Sequence, residues 1–414
     1  MNETRYPTKW TLLALIPFCW LLYRFFFPHG LQFFPVDAHV YGTALKDWLA
    51  GGDPYLIVPH REMLFNYPPV FLYAGGALAR ALTPHLGWIV YLISHFVAIG
   101  ILPLILHRHF LRGKDCTLIG LYWLFFAAPG LLGLLALETA NIAAICYATM
   151  LSAAIPGLTK NRWMIFYVSV LLCASIKITY LPMLLLPLLC GRKQWLRVAA
   201  CIAACILGLA EQRWFQATLY SRWVRNLTVQ NKSFGDVGQG EFGIVFHVLH
   251  KMHRENLFIP VAAYAIVSFM VLGLLVWLWR RGCANILSAW PALVLTGIIL
   301  MTPRVNYYDF CICSPLAFVM ATSAYRMRRW MIYGLYLCLL IPSMVFMQLS
   351  QYRTLDGGYE AVTIIIFFFA TCATLVKETV GRRGEGTSSK EPSESGGRYL
   401  SSRSGEYPSA QQFF

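Results

Sequence analysis

The chain reads as a succession of apolar runs separated by short polar breaks, near residues 10–27, 87–107, 117–136, 140–157, 163–178, 180–190, 195–212, 257–279, 285–302, 310–325, 330–349 and 361–376. A helix crosses the hydrocarbon core in about 20 residues, and fewer suffice where helices tilt or break. The pattern predicts an all-α polytopic membrane protein with about 12 transmembrane helices. The stretch 163–190 also fits one long helix, and 195–212 is weakly marked. Two longer, more polar segments interrupt the series, at 28–86 and 213–256. They hold short amphipathic stretches, such as 38–50 and 70–82, of the kind that lie along a membrane surface. Residues 1–380 therefore form one transmembrane domain. The remainder, 381–414, is rich in Gly, Ser, Glu and Arg and reads as a disordered cytoplasmic tail. No internal repeat is visible.

Composition agrees with this reading. Of the 414 residues, 58% are hydrophobic and 13% charged, and mean hydropathy is +0.56, whereas a soluble domain averages about a quarter charged residues. The net charge of +15 does not point to nucleic acid, because the basic residues sit in short clusters between apolar runs. Membrane lipids are their counter-charge. Arg108, Arg112 and Lys114 follow the second run, Lys160 and Arg162 the fourth, and Arg192, Lys193 and Arg197 the sixth. Arg280 and Arg281 follow the eighth, Arg326, Arg328 and Arg329 the tenth, and Lys377, Arg382 and Arg383 the twelfth. Each cluster follows an even-numbered run, which places both termini in the cytoplasm and favours splitting 163–190 into two short spans. The run at 10–27 follows Arg5 and Lys9 as a signal peptide would. No small-residue cleavage site follows it, so it reads as a retained anchor. The twelve cysteines mostly lie in or beside apolar runs without metal-ligand spacing and read as small buried residues.

This topology gathers the chemistry at one face. Asp37 lies past the first run, Glu138 and Asn141 at the turn between the third and fourth, and Lys177 between the fifth and sixth. Arg304, Asn306 and Asp309 stand between the ninth and tenth. All are extracytoplasmic in this arrangement, and ionisable groups near the membrane usually mark a site or pair with one another. Asp37 and Tyr41, four residues apart, share one helical face, and Asp37 also suits the N-cap of a helix over 38–50. Asp53, in a Gly-Gly-Asp-Pro stop signal, reads as structural. Glu138 and Asn141 either belong to the site or open the helix that follows, with Thr139 or Glu138 as its cap. Lys177 either snorkels or meets an anion. Arg304 either pairs with Asp309 or Glu138 or clamps a phosphate. His247, His250 and His253 are spaced as one helical face, which explains them without a metal. Tyr41, Tyr55, Tyr67, Tyr307 and Tyr308 add hydroxyls and flat faces suited to carbohydrate. Because the outer compartment lacks nucleotide-sugars, a glycosyl donor there arrives on a lipid phosphate.

The segments Asp37 with Val40-Tyr41, Ala50-Gly51-Gly52-Asp53-Pro54-Tyr55 and Phe65-Asn66-Tyr67-Pro68-Pro69 resemble glycosyltransferase family 87, which has the GT-C membrane fold. The resemblance covers roughly 10–376 in segment order, with its specific motifs in 37–69. It implies a plasma-membrane, polyprenyl-phosphate-mannose-dependent α-1,2-mannosyltransferase-like enzyme acting at the extracytoplasmic side on a glycolipid or glycan acceptor. Asp37 would then be the catalytic base, with Tyr41, Tyr55, Tyr67, Glu138, Asn141, Lys177, Arg304, Asn306, Tyr307 and Asp309 binding substrate. No metal or other cofactor is implied. The family's turn motif keeps only Asn141, its Lys-Pro motif only Lys177, and its late histidine motif reads Thr302-Pro303-Arg304-Val305-Asn306-Tyr307-Tyr308-Asp309 without histidine. The transfer would invert the anomeric centre, with one carboxylate sufficient because a phosphate leaving group needs no general acid. Two other classes fit the outer-face chemistry: a lipid-linked glycan flippase or transporter, and a glycan polymerase or ligase. A transporter would place polar groups at mid-membrane and on both faces.

Overall fold

The computed structural model describes residues 36–56, 65–112, 116–127, 132–191, 194–233, 238, 240–254, 257–348 and 353–387. The first apolar run and residues 388–414 of the expected tail lie outside them. The described residues are helical, with no strand among them. The first long segment folds as α1 (Val36–Leu49) and α2 (Pro69–Ala81), within two residues of the expected amphipathic stretches. Pro69 opens α2 at the position where a missing N–H costs nothing.

The helical series continues with α3 (Pro84–Ile105), α4 (Leu118–Ala127), α5 (Leu132–Thr139), α6 (Ile142–Lys160), α7 (Met164–Ile176), α8 (Leu185–Cys190) and α9 (Trp195–Phe215). The second long segment contributes α10 (Ala217–Ser233) and α11 (Glu241–Lys251). Then come α12 (Phe258–Arg280), α13 (Cys283–Ile286), α14 (Trp290–Leu300), α15 (Tyr307–Ala324), α16 (Arg329–Gln348) and α17 (Arg353–Thr387). Among the described residues, five helical stretches are long and apolar enough to cross a membrane: His85–Phe110, Ile142–Lys160, Trp195–Phe215, Phe258–Arg280 and Gly358–Thr379. This is an all-α membrane protein. The remaining apolar helices, on the other expected runs, are shorter.

α9 shows why such a helix suits a bilayer. Its 21 residues extend about 30 Å, the thickness of the hydrocarbon core. Exposed Trp195 stands at one end and exposed Trp214 and Phe215 at the other, where aromatic rings favour the lipid–water interface. α17 passes residue 381, where the tail was expected to begin, and stays helical to Thr387.

Within 117–136 the described residues form two helices, α4 and α5, which pack on each other. The expected split of 163–190 is found. Residues 163–190 break at Lys177, whose backbone is extended at φ −145, ψ 100, and resume as a 3-10 turn over Ile178–Leu184 containing Pro182 before α8.

The core is centred on α14 and α15. α15 packs against α17, α14, α5 and α4, and Leu293, Val294, Leu295, Ile298 and Ile299 of α14 are fully buried. A helix apolar on all sides is a core helix, as here. α6 ends on Asn161 in the left-handed conformation (φ 54), which turns the chain so that the Trp163 indole covers Gly157. A side chain at Gly157 would overlap that ring. A second, smaller cluster of Tyr41, Ala44, Tyr55, Phe65 and Leu72 joins the first long segment to Leu219 and Trp223 of α10. The two long segments therefore pack on each other.

Candidate active site

Asp37 lies in the first turn of α1, not at its cap position, since the helix already includes Val36. The helix dipole favours a carboxylate there. Its Oδ2 accepts a hydrogen bond from Asn141 Nδ2 at 2.9 Å. Asn141, rather than Thr139 or Glu138, is the N-cap of α6, its Oδ1 accepting from the Ala143 N–H at 2.9 Å. The same Nδ2 reaches the Tyr67 hydroxyl at 3.4 Å, and Tyr67 shares a 2.7 Å hydrogen bond with Tyr41. One amide thus both caps a helix and orients the carboxylate and a phenol of the first long segment.

The turn that presents Asn141 is held from below. Ala140 sits in the left-handed region at φ 47, a conformation that costs a non-glycine residue about 1 kcal/mol or more. Tyr91 of α3 donates to the Ala140 carbonyl at 2.7 Å. His95, one turn further along α3, is fully buried against the carbonyls of Leu137, Asn141 and Ala136. Glu138 stands half-buried at the end of α5.

Burial lifts the Tyr41 phenol well above its ordinary range, with Tyr67 and Asp37 adding to the effect. Tyr67 is raised in the same way by burial, then by neighbouring Tyr308 and Asp37. Both phenols stay neutral, and Asp37 is the carboxylate of this cluster. Tyr55 is also raised, by burial first, but its hydroxyl donates to the Tyr67 carbonyl at 2.8 Å and the residue is 1% exposed. It shapes the loop instead of facing a ligand.

A second cluster stands beside the first. Lys177 Nζ donates to the Tyr308 hydroxyl at 3.3 Å and lies 4.3 Å from that ring's centroid. Among the described residues no carboxylate lies within ion-pair distance of it. Asn306 Nδ2 donates to the same hydroxyl at 2.6 Å. With two donors on its oxygen, Tyr308 keeps its own proton to offer elsewhere. Of the two adjacent tyrosines, the register of α15 brings Tyr308 to Lys177, and the Tyr307 side chain lies outside the described residues. Asp309 is 1% exposed, accepting from Tyr147 at 2.8 Å and from the Asn306 backbone N–H at 2.8 Å. Expected to bind substrate, it instead caps α15 and anchors it to α6. Arg304 stands within electrostatic reach of Lys177, Tyr308 and Asp309. Gly238, at φ +83, lets the chain pass over it, since a Cβ there would lie 3.0 Å from Arg304 Cγ. Tyr67 and Tyr308 adjoin, and Asp37 acts electrostatically on both. The result is two carboxylates, Asp37 and Asp309, and two cations, Lys177 and Arg304, among neutral phenols.

Residues of the second long segment complete the site. Asn226, 1% exposed, donates to the Phe65 carbonyl at 2.7 Å and to Asn66 Oδ1 at 3.3 Å. Trp223 donates to the Asn66 carbonyl at 2.9 Å. Arg222 meets Asp53 at 3.5 Å, and Asp53 also accepts from the Tyr55 N–H at 3.0 Å, in keeping with its structural reading. These bonds clamp the strip that carries Tyr67. Asn226→Ala leaves a buried carbonyl unsatisfied and is expected to cost about 1–3 kcal/mol, read as a lowered Tm in detergent. The expected loss of transfer exceeds what the unfolded fraction explains.

His247 and His250 pack against Phe246 on α11. Glu241 at the start of that helix is 7% exposed, with one carboxylate oxygen buried and without a hydrogen-bond partner. Burial raises its carboxyl to about 7, and Tyr264 and Cys313 face it. A carboxyl raised in the folded state keeps its proton where the unfolded chain has lost it. Stability therefore falls as pH rises from about 4.5 to about 7 and is level above, a difference of up to about 3 kcal/mol. Glu241→Gln is expected to flatten this slope, which Tm measured from pH 5 to pH 8 would read. An unchanged slope would refute it.

The profile of glycosyltransferase family 87 matches residues 65–315, well over half of the chain. The matched stretch holds Tyr67, Asn141, Lys177, Arg304 and Tyr308, while Asp37 lies upstream of it. No curated protein matches the chain.

Proposed function

Because this chain belongs to glycosyltransferase family 87, it is a membrane glycosyltransferase, and we propose that it moves mannose or another hexose or pentose from a polyprenyl-phosphate-sugar to a lipid-linked or glycan acceptor. The observation that carries this reading is that Asp37, held by Asn141, and Lys177, a cation whose direct contacts are phenols, both act electrostatically on Tyr308. Asp309, the carboxylate that acts electrostatically on Lys177, is itself engaged by Tyr147 and the Asn306 N–H, and a lipid phosphate supplies Lys177 with a direct counter-charge.

In this reading the phosphate of the donor seats at Lys177, with Arg304 beside it and Tyr308 donating its proton to a phosphate oxygen. The acceptor hydroxyl attacks the anomeric carbon from the side of Asp37. The bond to the phosphate oxygen breaks with its electron pair, and the acceptor proton passes to Asp37. Polyprenyl phosphate leaves as the anion that Lys177 already stabilises. The anomeric centre inverts. No metal enters these steps. The GT-C architecture with about 12 spans, a single domain over 1–380 and an extracytoplasmic site at the plasma membrane belong to the same proposal.

Purified protein supplied with radiolabelled polyprenyl-phosphate sugars and a lipid extract tests it. Label is expected to move to a lipid or glycan product. Flipping of the donor without transfer would overturn the reading.

A further inference from the structure

α3 carries a histidine that the reaction above does not use. His95 stands within the span His85–Phe110 and is fully buried. An ionisable side chain at such a place is costly to the fold and commonly marks a site. The cost is visible in its surroundings. Both ring nitrogens are shut off from solvent, and neither makes a direct hydrogen bond among the described residues. A phenylalanine would fill similar space without that penalty.

What the ring nitrogens face are the carbonyls of Ala136, Leu137 and Asn141. α5 is eight residues long, and the last four carbonyls of a helix have no partner within it. Ala136 and Leu137 belong to that last turn, where the Thr139 hydroxyl donates to the Ala136 carbonyl at 3.3 Å. Asn141 caps the next helix, and the Ala144 N–H donates to its carbonyl at 3.3 Å. Between them the chain turns through Ala140 at φ 47, whose own carbonyl accepts from Tyr91 at 2.7 Å. Tyr91 and His95, four residues apart, share one face of α3. The phenol supports the left-handed residue, and the imidazole spans the end of α5 and the start of α6. A ring N–H opposite several carbonyls attracts all of their oxygens without a single tight bond.

We infer that His95 is a positioning residue, whose ring N–H fixes the Asn141 main chain and through it the amide that holds Asp37 Oδ2 at 2.9 Å. The inference rests on the transferase reading and extends it to a side chain that touches no substrate. A tilt of the Asn141 amide carries the carboxylate with it. Misplacing a reacting group by about 1 Å lowers the rate of the chemical step, while the donor phosphate stays held at Lys177.

The test compares His95→Phe and His95→Gln with the parent protein, each full-length in nanodiscs. Phenylalanine keeps a ring and removes the nitrogens, whereas glutamine restores an N–H donor without a ring. His95→Phe is expected to lower kcat about tenfold, the size of one lost hydrogen bond. KM for the donor should stay unchanged and Tm should hold or rise. His95→Gln is expected to recover most of the rate. A histidine that only filled space would show the reverse, with full activity in His95→Phe and a loss in His95→Gln. In an Asn141→Ala background, His95→Phe should cause no further loss, because both changes act at the same amide. Amide hydrogen exchange over residues 141–145 reads the cap without turnover. It is expected to quicken several-fold in His95→Phe and to return toward the parent rate in His95→Gln. Unchanged exchange, undiminished kcat in His95→Phe, or additive losses in the double variant overturns the inference. Absence of transfer by the parent protein from every monophosphate donor would refute the transferase reading instead, and exchange would still show whether His95 fixes Asn141.

Discussion

Asp37→Asn is expected to reduce transfer by roughly 10³-fold, the range contributed by a positioned general base. The substitution is nearly silent to the fold. An asparagine carbonyl can still accept from Asn141 Nδ2, which holds Asp37 Oδ2 at 2.9 Å, so Tm should stay within the small range of surface changes. What is lost is the ability to take a proton. Tyr41 and Tyr67 cannot replace it, because burial keeps both phenols protonated. KM for the donor should hardly move, since the phosphate is held elsewhere. Transfer by Asp37→Asn within a few-fold of the parent protein would remove Asp37 from the mechanism.

Lys177→Met is expected to lower kcat/KM by about 10²–10³, the loss measured when one preorganised donor to a developing negative charge is removed. Its second signature is in stability. Methionine keeps most of the volume and the contact with the Tyr308 ring, and it removes a cation with no carboxylate within ion-pair distance among the described residues. Asp309, buried and within electrostatic reach of Lys177, then loses that attraction, so Tm is expected to fall. Transfer should fall by far more than the unfolded fraction explains. A lysine that only braced the fold would lose transfer in step with Tm. Lys177→Arg should recover part of the rate, because a guanidinium also receives a phosphate.

Much of the architecture was legible in the order of residues. Helical period and length marked α1, α2 and the long apolar helices, and the i, i+4 spacing put Asp37 and Tyr41 on one face, where they are found. Lys177, conspicuous in an apolar run, proved to be a helix break with its ammonium turned inward. Asn306 and Asp309 stand three apart, the spacing of a capping box. That signal, weighed alone, would have made Asp309 structural from the start. Local sequence did not single out Tyr308, whose ring the register of α15 brings to Lys177.

What chain order settled was local: where helices form, where proline and glycine stop them, and which polar groups stand at one end of the bundle. Those outcomes depend on neighbours within a few residues. What only the folded protein decided was partnership. Asn141 reaches Asp37 from more than a hundred positions away, Tyr308 reaches Lys177 across a similar gap, and Asn226 and Trp223 clamp the strip that carries Tyr67. No periodicity encodes such pairs, since they follow from how helices pack. The opening picture, polar residues gathered at the ends of apolar helices, became two carboxylates and two cations among neutral phenols, brought together by packing.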